Sequence, residues 1–175
     1  MAQNRTRHAG NPSGLLTETF RAIQRERMAG LPFLNPALSV EAVGFTPFHG
    51  HWLGILITPW SMNLMLLPGT DKDWPDLPES QRQQWPFPAG SLKFVAAHEA
   101  AIGAYQQCPL FNTMHQFAAQ ESARDAANAA LQALFEPAAP TLAEPSPPQP
   151  LADIRTKPLS KRDFLRGRFL PGKQP

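Results

Sequence analysis

Few side chains in this 175-residue chain have types and spacings that could act chemically: five histidines, one cysteine and an apolar hairpin. His98 and Glu99 open like a zinc-protease motif, but Ile102 offers no second histidine and the pair falls in a predicted strand turn, so the two side chains share no helical face. His49 and His51 are two apart and would face the same side of a strand. A protein metal site needs three or four donors and no third is evident, so both are expected to be solvent-exposed hairpin histidines. His8 and His115 join no constellation. Cys108 precedes Pro109 in an apolar stretch, with no adjacent Lys or Arg to lower its pKa, and reads as a buried, inert thiol. No nucleophile elbow, phosphate-cradling glycine loop or dinucleotide fingerprint occurs. The chain is therefore expected not to be an enzyme and to carry no cofactor or metal.

The hairpin has a different chemistry. From Trp52 to Pro68 two apolar strands flank the turn Thr58-Pro59-Trp60-Ser61. Leu53, Ile55 and Ile57 point one way, while Trp52, Leu56, Met62, Leu64 and Leu66 leave neither face polar, so both faces require cover. A membrane span needs about 20 apolar residues, and Pro59 and Asn63 would leave polar groups unpaired in lipid; the chain is not expected to be an integral membrane protein. Two readings of the tip residues Trp60, Met62 and Asn63 stand side by side: core, or a surface for another protein.

The elements that would position this hairpin follow from pattern. Ser13 can cap a helix bearing Leu16, Phe20 and Ile23. Leu38 to Phe45 alternates like a half-buried strand and is broken by Pro47. His49-Gly50 turns the chain into the hairpin, and Pro59 folds it back. Trp74 to Trp85, with prolines and acids, reads as an irregular loop crossing one face of the sheet. Ser91 to Ala97 and Ile102 to Gln106 read as strands about a His98-to-Ala101 turn. Asn112 can cap a helix running to Phe135. The expected fold is α+β: a roughly five-stranded antiparallel sheet packed by an N-terminal and a C-terminal helix, both on one face.

The expected organisation is 1–14 disordered, 15–136 a single domain, 137–158 a linker with seven prolines, and 159–175 a basic tail. The net charge of +2 conceals an acidic body and a basic end: Leu15 to Glu136 carries seven Lys and Arg against eleven Asp and Glu, Leu151 to Pro175 seven against two. A single cysteine forms no internal disulfide, and the polar start Met1-Ala2-Gln3-Asn4-Arg5 is followed by no apolar stretch, so a cytoplasmic location is expected.

Gly54-Ile-Leu-Ile-Thr-Pro-Trp-Ser-Met-Asn-Leu-Met-Leu-Leu-Pro-Gly69 resembles the signature of the HybE/HupJ family of nickel-iron hydrogenase assembly chaperones. Pro32, Asn35-Pro36, Val40 to Phe45, Phe87 to Gly90, Cys108 to Met114 and Phe117 extend the resemblance over about residues 15 to 135. It implies a non-catalytic accessory protein that binds the hydrogenase small-subunit precursor with its twin-arginine signal peptide, with the large subunit and other maturation proteins as further partners, and holds back export until the subunits have matured. Some relatives carry a rubredoxin domain, whereas this chain has no Cys-x-x-Cys pair, so any iron belongs to the client. Thr58, Pro59, Trp60, Met62 and Asn63 are the expected contact set: Pro59 fixing the turn, Trp60 and Met62 supplying area, Asn63 pairing backbone groups.

In the tail, Ser160-Lys161-Arg162-Asp163-Phe164-Leu165-Arg166 looks like a twin-arginine motif with Lys161 in the first arginine position. Being C-terminal with no apolar stretch after it, it is no export signal. It is either a solvated basic tail or a mimic of the client's signal peptide. The rival function is an RNA- or acidic-protein-binding module acting through this tail; the acidic body argues against nucleic acid.

Overall fold

The computed structural model describes residues 6–70 and 73–138. Along that span run α1 (Ser13–Arg27), β1 (Glu41–Phe48), β2 (His51–Ile57), β3 (Met62–Leu67), β4 (Arg82–Phe87), β5 (Gly90–Glu99), β6 (Gly103–Phe111) and α2 (Gln120–Phe135). The strands form one antiparallel sheet in the order β1-β2-β3-β6-β5-β4, so the α+β class holds with six strands instead of five.

The additional strand is β4, which takes the end of the stretch expected to be an irregular loop. Gln83, Trp85 and Phe87 are the better-covered positions and alternate with exposed Arg82, Gln84 and Pro86. Pro86 is tolerated there because β4 is a sheet edge. The same rule lets Pro47 lie inside β1, the opposite edge, instead of ending it. The β1–β2 register shifts between Val43 and Thr46, where Gly44 has a φ of 65°. This bulge sends Phe45 to one face and leaves Val43 and Phe48 on the other, which simple alternation does not anticipate. His49 and Gly50, at φ 48° and 75°, close the β1–β2 hairpin in the left-handed geometry of tight turns.

β2 and β3 are buried on both faces. Leu53, Ile55, Ile57, Met62, Leu64 and Leu66 share a core with Ala123, Ala127, Ala130 and Leu134 of α2. Leu56, Met65 and Leu67 share the other core with Leu16 and Phe20 of α1. The helices thus lie on opposite faces of the sheet, correcting the expectation that both cover one face. Each fully buried Leu or Ile contributes roughly 1.5–3 kcal/mol, so one helix per face covers both apolar sides of the central strands.

Both helix starts also differ from expectation. Ser13 is the first helical residue rather than the cap; its N–H donates to Asn11 Oδ1 at 3.0 Å. α2 begins at Gln120, not at Asn112, because Asn35 Nδ2 donates to the carbonyls of Met114 at 2.9 Å and Phe117 at 2.8 Å and holds that stretch in an irregular path. Gln120 Nε2 and Arg124 Nε donate to the Glu41 carboxylate at 2.7 and 2.8 Å, tying the start of α2 to β1. The Arg124 hydrogen bond chiefly holds the Glu41 carboxyl below its ordinary pKa.

From Thr6 onward the N-terminal segment is docked, not disordered as expected for 1–14. His8 N–H donates to Pro68 O at 3.0 Å, His8 Nε2 to Ile102 O at 3.2 Å, and Trp52 Nε1 to His8 O at 2.9 Å. These bonds to buried backbone offset the ordering entropy that the polar sequence cannot offset by apolar burial. Burial lowers the His8 pKa below 6.5. The unfolded segment thus binds a proton that the docked one resists, and the docking stability is lost as the pH falls below about 6.5. Trp52 fluorescence is expected to report undocking between neutral and mildly acidic pH, and His8→Gln to flatten that response; an unchanged acid response in His8→Gln would assign it to another group.

Among the described residues no helix is long and apolar enough to cross a membrane.

Candidate functional site

The hairpin tip is a two-residue turn between β2 and β3, closed by Thr58 and Ser61. Thr58 N–H and Oγ1–H both donate to Ser61 O at 2.9 Å, and Thr58 Oγ1 accepts from Ser61 N–H at 3.0 Å. A fully buried Thr58 thus locks both sides of the turn. Pro59 is buried and Trp60 is partly exposed, its ring packed against the α1-side core. Met62 has no exposed surface and belongs to the α2-side core, so the expectation that it supplies contact area is corrected. Asn63 is buried and its Nδ2 donates to Ser61 Oγ at 3.0 Å, bracing the turn through a side chain and not through backbone groups. Of the expected contact set, Trp60 alone presents an apolar surface to solvent.

Asn35, on the α1–β1 loop, was legible only as a motif residue, yet three segments meet at it. Its N–H donates to Pro59 O at 2.9 Å, its Nδ2 holds Met114 and Phe117, and its Oδ1 accepts from Ala37 N–H at 3.0 Å. The loop it anchors carries Leu31 and Phe33, 36% and 48% exposed. Sequence reasoning passed over both; the signal was Leu31-Pro32-Phe33-Leu34-Asn35-Pro36, apolar residues interleaved with prolines that bar helix and sheet. Behind this loop an open groove of about 510 Å³ is lined by Arg21, Gln24, Arg25, Gly30, Leu34 and Val40.

The other candidates do not converge on this site. His49 is exposed in its turn, but His51, expected to be exposed, is buried with its ring 5.1 Å from Trp74 and 5.9 Å from Trp85. His98 is exposed near the end of β5, and the Glu99 carboxylate accepts from Arg27 at 3.0 Å. Cys108 is fully buried in β6. No group of three or more His, Cys, Asp or Glu among the described residues is placed to hold a metal ion. Lys161, Arg162, Phe164, Leu165 and Arg166 lie outside the described residues.

Comparison with known proteins is consistent with this arrangement. The family described as NiFe-hydrogenase assembly, chaperone, HybE matches residues 11–167. A hydrogenase expression/formation protein HupJ of Bradyrhizobium diazoefficiens is 39% identical over 157 residues, covering 87% of this chain and 86% of its own. A probable rubredoxin HupJ of Rhodobacter capsulatus is 39% identical over 121 residues, 69% of this chain; the match spans only 44% of that longer protein. The solution structure of HybE from Escherichia coli superposes with a TM-score of 0.63 at 24% identity, covering 90% of this chain and 98% of that one, a likeness of fold. The chain belongs to the HybE family of nickel-iron hydrogenase assembly chaperones.

Proposed function

We propose that this chain binds a hydrogenase small-subunit precursor in the cytoplasm, without catalysis, and masks an apolar or signal-bearing segment of it until maturation and pairing with the large subunit. One observation carries the reading: Leu31 and Phe33 are exposed on a loop hydrogen-bonded through Asn35 to the hairpin tip, where Trp60 is partly exposed. Aromatic and large apolar side chains on a braced frame contribute contact area at little entropic cost. Thr58, Pro59, Met62 and Asn63 hold the frame from beneath. Packing into the adjoining groove is favoured over strand addition, because each edge strand carries a proline, Pro47 or Pro86, that lacks an edge donor. Arg21 and Arg25 on the groove repel an arginine pair and favour the apolar part of a signal peptide.

The test is co-purification of wild type, Trp60→Ala and Phe33→Ser with the small-subunit precursor and, separately, with the large subunit. Both variants are expected to stay folded and to lose at least about tenfold in capture, the scale of an interface hot spot. Undiminished capture by both folded variants would place the contact elsewhere, and capture of the large subunit alone would replace the client.

A further inference from the structure

On the α2 side of the sheet, away from the hairpin tip, an open cavity of about 370 Å³ is lined by His49, His51, Asp73, Trp85 and Pro86. Its wall is largely aromatic. The His51 ring meets Trp74 and Trp85 edge-to-face at 78° and 83°. Trp85 Nε1–H is committed to Gln106 Oε1 at 2.7 Å, and Gln106 Nε2 in turn donates to Gln83 Oε1 at 2.9 Å. With its N–H used in this chain of bonds and its ring already packed T-shaped with His51 and Phe48, the Trp85 indole has only the rest of its π surface to offer. Asp73 adds a carboxylate, and the stretch Asp71 to Glu79 carries four acids against one lysine, Lys72. Aromatic faces beside a carboxylate select a guanidinium or ammonium group.

We propose that this cavity holds a cationic side chain of the chain's own basic segment, residues 158–170, bound in cis. Three observations name that occupant. Ala138, the last described residue, donates its N–H to Pro88 O at 3.4 Å, two residues along the chain from the cavity-lining Pro86. About twenty residues separate Ala138 from the segment and reach some 25 Å even as a flexible coil. The charges are complementary, since Leu151 to Pro175 bears seven Lys and Arg against two acids whereas the body is acidic. The family match also runs on to residue 167, through Lys161, Arg162 and Arg166, instead of stopping where the domain ends. The inference concerns a different face from the tip and holds whichever precursor is bound there.

The four tryptophans allow a direct test in the full chain. A nitroxide is attached at Ser160→Cys, with Cys108 fully buried and one label per chain confirmed by mass. Indole N–H signals are then compared with the spin label active and reduced. Trp74 and Trp85 signals are expected to lose most of their intensity, Trp52, next to His51 on the other face of β2, to lose part of its own, and Trp60, at the far end of the hairpin, to keep its. Salt near 1 M, which shortens the screening length to about 3 Å, should restore the lost signals, as should Lys161→Gln with Arg162→Gln, changes that leave the folded body untouched. Intensity lost at none of the four, or at Trp60 while Trp74 and Trp85 keep theirs, overturns the proposal. Loss transferred to an isotope-labelled, label-free copy mixed with spin-labelled protein also overturns it, by making the occupant a second molecule.

Discussion

Asn35→Ala is expected to lower the stability of the domain by about 3–5 kcal/mol, read as a fall in the urea midpoint at unchanged slope. The residue is 6% exposed, so neither its amide nor the groups it binds have ready access to water. Alanine removes two donors at once and strands the carbonyls of Met114 and Phe117, and it also removes the acceptor of Ala37 N–H. Each buried polar group left unsatisfied costs roughly 1–3 kcal/mol, and the three share one site, so the sum is an upper range. Asn35→Asp gives the sharper contrast: it retains an acceptor for Ala37 but turns a carboxylate toward two carbonyl oxygens, and is expected to be at least as damaging. A loss below about 1 kcal/mol in both variants would mean that water replaces the amide and that the clamp is not structural. Because the Asn35 N–H bonds Pro59 O, loosening here should also raise amide exchange at the hairpin turn.

Gly54→Ala has the second large effect. Gly54 lies on β2, opposite Met65, and a Cβ there would stand 2.4–2.7 Å from three atoms of the Phe45 ring. Ordinary carbon contacts need about 3.5–4 Å, so the ring must move by an ångström or more within a packed core. Overpacking of this kind costs roughly 1–3 kcal/mol, and the two-sided burial of β2 places this one at the upper end. Phe45→Leu removes the ring edge that the new methyl meets. By itself it destabilises the α1-side core; combined with Gly54→Ala it should cost clearly less than the sum of the two. A double-mutant cycle by thermal or urea unfolding measures that coupling. Strict additivity would show that the methyl is accommodated by a backbone shift and not by the ring.

Much of this arrangement was legible because local pattern and final environment agree. Leu53-Gly-Ile-Leu-Ile and Met62-Asn-Leu-Met-Leu-Leu are apolar in both alternating sets, and that establishes two covered faces before any coordinates are known. His49-Gly50 and Thr58-Pro59-Trp60-Ser61 mark the turns, and the resemblance carried by Thr58 to Asn63 identified the family. The misreadings have physical causes. β4 hides behind Pro75, Pro78 and Pro86, since a proline that would stop a central strand is harmless on an edge. The stretch from Asn112 to Ala119 carries helical periodicity, but a side chain eighty residues earlier in the chain takes its carbonyls. The docked N-terminal segment has no apolar signature because hydrogen bonds hold it, one between backbone groups and two from the His8 and Trp52 rings to carbonyls.

At the candidate site the division is sharper. Residue types alone marked the tip as unusual but left Trp60, Met62 and Asn63 undivided between core and surface, because an aromatic or methionine side chain suits both. By itself the sequence determined the family, the α+β class, the central hairpin and the acidic body with its basic end, all of which rest on local composition and short-range pattern. Only the tertiary structure decided that α1 and α2 take opposite faces, that Met62 is interior while Trp60 is partly exposed, and that the loop carrying exposed Leu31 and Phe33 is hydrogen-bonded to the tip through Asn35. Those outcomes depend on contacts between residues far apart in the chain, and no local pattern encodes which distant partner will satisfy a given buried group.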